Sequence, residues 1–208
     1  MQQAWDNFLL NLGNTTCYEF VGVIAGIVSV WFSRKGNILV YPVGLINTII
    51  FTYLSLKGQL FGEASVNLYY TIVSIYGWIL WSKKDGNNHH ILQIKFSTKK
   101  EWLHQLLFFA AFYIAIYYAL VYLNNNFYDG AIPWADSFAS ATAYTGMWLM
   151  ARKKVESWIW WIATNIASIP LYFVKNYVFT SFQYVVLLIL AVAGLIEWSK
   201  KARNEIHG

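Results

Sequence analysis

The sequence is poor in charged residues and in cysteine. Only 12% of its 208 residues are Asp, Glu, Lys or Arg, and 58% are hydrophobic, a balance unlike that of an ordinary soluble domain. The single cysteine, Cys17, excludes an intrachain disulfide and a cysteine-based metal site. The chain also lacks a nucleophile-base-acid set, a glycine-rich phosphate loop and a zinc-binding helix motif. We therefore expect no cofactor and no metal ion, and we expect lipid to be the solvent.

Seven long stretches are nearly free of charge. A hydrocarbon core about 30 Å thick needs roughly 20 apolar residues per helix. The stretches cover residues 16–33, 37–56, 62–82, 102–123, 132–150, 156–174 and 178–198. Their ends carry tryptophans that are typical of the headgroup level, namely Trp31, Trp78, Trp81, Trp102, Trp148 and Trp198. These features predict an all-α integral membrane protein with seven transmembrane helices and the lipid bilayer as its surroundings.

The first fifteen residues do not resemble a signal peptide, because they lack a basic start and a small-residue cleavage site. Trp5, Phe8, Leu9 and Leu12 instead recur at helical spacing. This pattern predicts a short N-terminal helix over residues 1–15 that lies on the membrane surface.

Nearly all basic residues fall on one side of the predicted membrane. Of the 15 Lys and Arg residues, only Lys57 and Lys175 follow the second and sixth stretches. The others follow the first, third, fifth and seventh stretches. Basic loops favour the cytoplasmic side, so we expect the N-terminus outside and the C-terminus in the cytoplasm of a bacterial inner membrane. The net charge of +5 is thus explained by orientation, and we expect no nucleic-acid partner.

The chain matches itself at a shift of 117 or 118 residues. The matching pairs are Trp31 and Trp148, Asn47 and Asn165, Lys57 and Lys175, Gly77 and Gly194, Trp81 and Trp198, and Lys83 and Lys200. The pattern predicts a 3+1+3 plan, in which two parallel three-helix repeats, 16–82 and 132–198, are joined by a basic cytoplasmic loop, 83–101, and a linker helix, 102–123, and followed by a tail, 199–208. Parallel repeats are typical of transporters that hold their substrate between the two halves.

Two amides are predicted to lie at a similar depth near mid-membrane. Asn165 is eleven residues beyond Lys154, and Asn47 is twelve beyond Lys35, which correspond to about 16 Å and 18 Å along a helix. Polar side chains are costly inside lipid and are functional candidates there. The repeat therefore predicts two binding amides.

Two tryptophans share a helix face with Asn165, because Trp158, Trp161 and Asn165 follow a 3-4 spacing. Indole rings beside an amide offer a flat, cationic heteroaromatic ring both a π surface and hydrogen bonds. Trp158 lies only about 6 Å beyond Lys154, so a place in the interfacial tryptophan belt is an equal alternative for it.

The third and seventh stretches add polar candidates in the outer half of the membrane. Glu63, Asn67 and Tyr70 share one helix face, and Gln183 lies at a depth similar to that of Asn67. They predict a vestibule above the two amides. Glu63 suits a cationic ligand, although a solvated position at the outer surface is an alternative.

These motifs together resemble those of the Pnu family of bacterial vitamin transporters, over essentially the whole chain. The resemblance rests on Trp158-x-x-Trp161-x-x-x-Asn165, on Gly44-Leu45-Ile46-Asn47, and on Leu60-Phe61-Gly62-Glu63 through Asn67 to Tyr76-Gly77-Trp78. It implies facilitated diffusion, a homotrimer, and trapping of the vitamin by a cytoplasmic kinase that does not bind stably. It also implies a substrate pocket of Trp158, Trp161 and Asn165, with Asn67, Tyr70 and Gln183 as companions. With the positions named above, the predicted substrate-binding residues are Trp158, Trp161, Asn165, Asn67, Tyr70, Gln183, Asn47 and Glu63.

The expected substrate is nicotinamide riboside, with thiamine as the alternative. The resemblance implies either one, since both are cationic heteroaromatic vitamins with hydroxyl-bearing tails. Some relatives associated with nicotinamide riboside carry Gln at the position of Asn67, and other members of the family transport thiamine or riboflavin. The resemblance therefore identifies the family more firmly than the vitamin. Riboflavin, which is larger and neutral, fits the predicted pocket less well.

Two other classes are less compatible with the sequence. A membrane-embedded enzyme would need buried acid-base residues or a metal cluster, whereas Glu19 and Glu197 lie near the ends of the predicted helices. A structural subunit would not need repeated mid-membrane amides. We expect alternating access in which the halves rock and helices bend near Pro42 and Pro170, without a coupled ion, because no paired carboxylates lie deep in the membrane.

Overall fold

A computed structural model of the chain describes residues 17–57, 61–84, 91–126, 131–175 and 178–207. These residues form seven helices. In chain order they are α1 Cys17–Lys35, α2 Val40–Lys57, α3 Phe61–Ser82, α4 Lys99–Asn126, α5 Pro133–Ala151, α6 Ser157–Val174 and α7 Val178–His207. The predicted surface helix over residues 1–15 lies outside the described residues.

The helices agree with the seven predicted stretches, and the all-α fold is confirmed. Their ends differ by three residues at most, apart from the C-terminal end of α7. That helix runs on to His207 because its basic continuation finds partners. Lys201 pairs with Glu197 one turn earlier at 3.2 Å, and its ammonium also donates to the carbonyl of Lys35 at 2.7 Å.

Within the described residues, three helical segments are long and apolar enough to cross a membrane by composition alone. They are Val40–Lys57, Lys99–Asn126 and Thr180–Asn204. Other helices carry more polar side chains, many of which face neighbouring helices. In α5, for example, Ser137, Thr142 and Thr145 are fully buried, and each hydroxyl donates to a carbonyl three or four residues earlier in the helix.

The helices pack in two consecutive groups of three. In each group the middle helix contacts both others: α2 contacts α1 and α3, and α6 contacts α5 and α7. The groups meet through α1 against α7 and through α3 against α5, and α4 lies along α5.

The two groups exchange hydrogen bonds at the end of the bundle that carries the basic loops, which we call the basic end. The indole N–H of Trp81 in α3 donates to the carbonyl of Ala151 at the end of α5, at 3.1 Å. The indole N–H of Trp198 in α7 donates to the carbonyl of Arg34 at the end of α1, at 3.0 Å. Donors and acceptors are both 117 positions apart, so each group holds the end of the other group's first helix.

The two donor tryptophans are buried at the centre of the basic end. The ring centroids of Trp81 and Trp198 lie 6.1 Å apart, and beside them the hydroxyl of Ser33 donates to the sulfur of Met150 at 2.9 Å. The sequence pattern placed both tryptophans at the headgroup level. That prediction was wrong, because these rings join the helix groups and are withdrawn from the surface.

Part of the predicted basic loop is packed onto the turn between α5 and α6. The backbone N–H of Lys95 donates to the carbonyl of Lys153, and its carbonyl accepts from the N–H of Val155. The Lys153 ammonium donates to the carbonyl of Leu92 at 3.0 Å and lies 4.5 Å from the centroid of the Trp81 ring. The segment around Leu92 and Lys95 is therefore attached to the turn between α5 and α6.

A chain of hydrogen bonds also fixes α6 to the start of α4. The indole of Trp160 donates to the buried Gln105 at 3.1 Å, and the Gln105 amide donates to the Ser97 hydroxyl at 2.8 Å. That hydroxyl donates to the buried carboxylate of Glu156 at 2.7 Å. Since every donor in this chain faces an acceptor, the network anchors the N-terminal turn of α6 firmly.

Candidate functional site

The candidate site is built around Asn165, in the middle of α6. Its side chain is 3% exposed, and no described residue forms a hydrogen bond with its amide. The amide is not among the fully enclosed side-chain atoms that lack a partner, so it keeps a small accessible surface through which a ligand can reach it. An unpaired amide at this depth is therefore a candidate for contact with a ligand.

Asn47, the counterpart of Asn165 in the first repeat, is already engaged. Its amide nitrogen donates to the carbonyl of Gly22 at 2.7 Å, and its side chain fills the space beside Gly26. These contacts give Asn47 a role in packing α2 on α1. The structure thus gives different surroundings to the two amides that the sequence predicted as a pair.

Trp158 is a core residue at the basic end. It is 1% exposed, it packs edge-to-face on Trp198 with ring centroids 5.5 Å apart, and it lies so close to Gly194 that a Cβ there would come within 2.6 Å of the indole. Tyr41, which is 117 positions earlier, packs on Gly77 and Trp81 in the same way. The interfacial alternative for Trp158 was wrong, because the ring is enclosed between helices.

Trp161 lies one turn before Asn165 and is only partly buried. One edge of its indole rests against Gly146 of α5, where a Cβ would lie 3.3 Å from the ring. Its ring centroid is 6.2 Å from that of Tyr70 in α3, with the planes inclined by 53°. The structure therefore brings together three predicted residues, Trp161, Tyr70 and, by its place on the same face of α6, Asn165.

Further aromatic side chains surround this group, and sequence reasoning missed the most central one, Tyr144 of α5. Its ring packs edge-to-face on Tyr70 at 6.3 Å and lies 4.4 Å from that of Tyr69. The Tyr69 hydroxyl donates to the Tyr144 carbonyl at 3.1 Å, and the Tyr144 hydroxyl is hydrogen-bonded to Ser65. No spacing singled out Tyr144, since its role depends on α3 lying against α5.

The remaining predicted residues lie on α3 and α7. Asn67 is half-buried one turn before Tyr70, and its carbonyl accepts from the hydroxyl of Thr71 at 2.9 Å. Gln183 is half-buried on α7, next to Tyr184, whose ring stacks on that of Tyr172 with centroids 5.2 Å apart. Glu63 belongs to α3, but its side chain lies outside the described residues.

The described side chains that line the site are neutral. The sequences of α3, α5 and α6 contain no Lys or Arg, and the ion pair between Asp136 and Lys175, at 2.7 Å, lies at the end of the bundle opposite to the basic end. Among the residues that the structure describes, no three His, Cys, Asp or Glu side chains are grouped as metal ligands. The arrangement offers π surfaces, hydroxyls and amides, which suit a flat, polar and uncharged or cationic ligand.

Several known proteins are similar to the chain over most of its length. The family described as nicotinamide mononucleotide transporter matches residues 16–200. The chain is 26% identical to the nicotinamide riboside transporter PnuC of Escherichia coli, over 89% of this chain and 86% of that protein. It is 28% identical to PnuC of Neisseria mucosa, over 88% and 72% of the two chains. It is 23% identical to the riboflavin/roseoflavin transporter RibM of Streptomyces davaonensis, over 90% and 86%.

A solved structure shares the fold. The crystal structure of the vitamin B3 transporter PnuC superimposes with a TM-score of 0.71, covering 97% of this chain and 88% of that chain at 24% identity. At this identity the likeness concerns the arrangement of the helices, and the ligand has to be argued from the side chains.

Proposed function

Since the chain belongs to the nicotinamide mononucleotide transporter family, whose members are membrane vitamin transporters and not enzymes, we propose that it takes up nicotinamide riboside. The observation that carries the proposal is the amide of Asn165, which has no hydrogen-bond partner among the described residues and lies one helical turn from the indole of Trp161. A ring that stacks on the indole can present hydrogen-bonding groups to this amide.

The charge of the site favours nicotinamide riboside among related compounds. Its pyridinium ring is cationic, so the π faces of Trp161, Tyr70 and Tyr144 attract it. The phosphorylated form, nicotinamide mononucleotide, would bring a phosphate to α3, α5 and α6, which carry no Lys or Arg, and phosphate sites normally rely on such side chains or on helix N-termini. We therefore expect the nucleoside to bind more tightly than the nucleotide.

Riboflavin is the second candidate substrate. The similarity to the riboflavin/roseoflavin transporter of Streptomyces davaonensis extends over 90% of this chain, and a flavin ring would also stack on Trp161. It is larger and lacks the positive charge, so the same π faces would hold it less strongly. Thiamine, another cationic heteroaromatic, remains an alternative on the ring chemistry alone.

A substrate ring does not fit between Trp161 and Tyr70 as they stand. The centroids of Trp161 and Tyr70 are 6.2 Å apart, within the range of direct aromatic contact. A third ring inserted between two parallel rings would need them about 7 Å apart, which is twice a van der Waals spacing of about 3.5 Å. The substrate ring therefore either displaces Tyr70 or stacks on the part of the indole that Tyr70 leaves free.

Transport follows from movement of the two helix groups about this site. The hydrogen bonds from Trp81 and Trp198 join the groups at the basic end, so release on that side requires them to break. We place the basic end in the cytoplasm and the N-terminus outside, because basic loops favour that side. Pro170 lies within α6, and it provides a point of bending beyond Asn165.

Uptake is driven by trapping and has no coupled ion. No pair of carboxylates accompanies Asn165 on its helix, as a proton or sodium relay would require. A cytoplasmic kinase that phosphorylates the imported nicotinamide riboside would keep the concentration of the free nucleoside in the cytoplasm low. The transporter would work as a homotrimer. In sealed vesicles, labelled nicotinamide riboside is expected to equilibrate without accumulating, and to accumulate once kinase and ATP are enclosed. Accumulation without the kinase would contradict uncoupled transport.

The substrate assignment is tested by calorimetric titration of the purified protein with nicotinamide riboside, nicotinamide mononucleotide, thiamine and riboflavin. We expect saturable binding of nicotinamide riboside, lost on Trp161→Ala and on Asn165→Ala. Trp31→Ala is the matched control, because Trp31 is an exposed tryptophan of the other repeat and its loss should leave Kd unchanged. Tightest binding of another compound would reassign the substrate, and binding of none would refute the proposed function.

A further inference from the structure

Gly146 lies against one edge of the indole of Trp161. A Cβ at Gly146 would lie 3.3 Å from both Cε2 and Nε1 of the indole, and 3.4 Å from the Cβ of Trp160. Such a separation is too short for an ordinary contact, so the neighbour would have to shift by a few tenths of an ångström. Trp160 is held by Gln105, which leaves the Trp161 ring as the group that has to move.

Comparison of the two repeats shows that this space is particular to the second one. A shift of 117 positions relates Gly146 to Ser29 and Trp161 to Gly44. In the first repeat the larger residue is on the first helix of the group, and Ser29 fills the space that Gly44 leaves, with its hydroxyl 2.8 Å from where a Cβ of Gly44 would be. In the second repeat the sizes are exchanged, and the glycine of the first helix makes room for an indole on the second.

The neighbouring core contact is the same in both repeats. Trp158 lies against Gly194, and its counterpart Tyr41 lies against Gly77. The exchange of sizes at the level of Trp161 is therefore absent from this neighbouring contact. At that level the second helix of the first repeat has no side chain that could stack on a ligand, because Gly44 stands at the position related to Trp161.

From these contacts we infer that Gly146 is a positioning residue for substrate binding, which acts by setting where the indole of Trp161 stands between α5 and Tyr70. This inference rests on the proposed role of Trp161 in the site. The Trp161 indole contacts Gly146 of α5 and lies next to Tyr70 of α3. A methyl group at position 146 therefore displaces the stacking surface relative to Asn165. A side chain there shifts the surface without removing any group that could contact the ligand.

The test is a double-mutant cycle between Gly146→Ala and Trp161→Phe, with Kd measured for the four compounds of the titration above. We expect Gly146→Ala to weaken binding of the preferred compound about tenfold, as loss of good aromatic stacking would, and Gly146→Ser to weaken it more. In the Trp161→Phe background, whose smaller ring leaves room for a methyl group, Gly146→Ala is expected to change Kd less than about twofold.

The control is Gly44→Ala, which introduces a methyl group at the Ser29–Gly44 contact, the counterpart in the first repeat of the Gly146–Trp161 contact. It should leave Kd unchanged in protein that remains folded. An unchanged Kd for Gly146→Ala, or an equal loss in both Trp161 backgrounds, would overturn the inference while the proposed function stands. If the wild-type protein prefers riboflavin or thiamine, the assigned substrate fails and the cycle is read with that compound. If none of the four compounds binds, both proposals are refuted.

Discussion

Replacing each of the two related asparagines by leucine separates ligand binding from helix packing. Leucine has the branched shape of asparagine and the same number of side-chain heavy atoms, but it cannot form hydrogen bonds. Asn165 has no described partner for its amide, whereas Asn47 donates to Gly22 at 2.7 Å. Asn165→Leu should therefore affect ligand binding and Asn47→Leu should affect stability, although the two positions are related by the repeat.

The magnitudes follow from the hydrogen bonds that each variant removes. A bound substrate can form up to two hydrogen bonds with the Asn165 amide, each worth about 0.5 to 1.5 kcal/mol, so Asn165→Leu should raise Kd roughly 5-fold to 150-fold. Because the free protein loses no hydrogen bond and buries an apolar side chain instead, its stability should be unchanged or higher by about 1 kcal/mol. Asn47→Leu removes one contact between membrane helices, worth about 0.6 and at most about 1.7 kcal/mol, and should leave Kd within about twofold.

The assay combines thermal unfolding of the detergent-solubilised protein, with and without ligand, and calorimetric titration. The reasoning predicts a crossed result, with weak binding in a stable Asn165→Leu protein and normal binding in a less stable Asn47→Leu protein. Equal loss of binding in both variants would show that Asn47 also serves the ligand. Destabilisation of the free protein by Asn165→Leu would show that its amide has a structural partner.

Two further predictions concern the basic end. Trp81→Phe keeps an aromatic ring but removes one hydrogen bond between the helix groups. A cysteine replacing Ser168, which is buried in α6 about one turn beyond Asn165, should then react up to about tenfold faster, in a Cys17→Ser background, with an impermeant thiol reagent added on that side; an unchanged rate would contradict closure there. Burial opposes ionisation of Glu101, but hydrogen bonds from Lys154 and from a backbone N–H outweigh it and lower the pKa of this carboxyl. Glu101→Gln should therefore reduce stability at neutral pH by less than about 1 kcal/mol, and this difference should vanish as the pH falls through the lowered pKa; a difference that persists in acid would exclude the ion pair as its cause.

The sequence predicted the helices well because lipid imposes a simple rule on length and polarity. It failed for Trp81 and Trp198, since the same residue type occurs at the headgroup level and at contacts between helix groups. Position along a helix gives depth, but it does not give the neighbour. The tryptophans were therefore assigned to the correct end and to the wrong surroundings.

The candidate site was predictable only in part for the same reason. Asn165, Trp161 and Tyr70 were predicted from depth and helix face, and the structure brings Trp161 and Tyr70 into contact. The different surroundings of Asn47 depend on the carbonyl of Gly22, which no side-chain pattern reveals. Gly146 could have been found from sequence by comparing residue sizes between the repeats, since glycine and a larger residue change places there.

The different surroundings of Asn47 and Asn165 have a consequence for stoichiometry. Two related helix groups could carry two equivalent sites. The Asn47 amide, however, is engaged in helix packing, and only the Asn165 amide is available to a ligand. Saturation should thus require one ligand per chain, and a trimer of independent subunits should bind three ligands with a Hill coefficient of one. The first repeat is then free to change around Asn47 without altering selectivity, as long as it still supports the movement of the second.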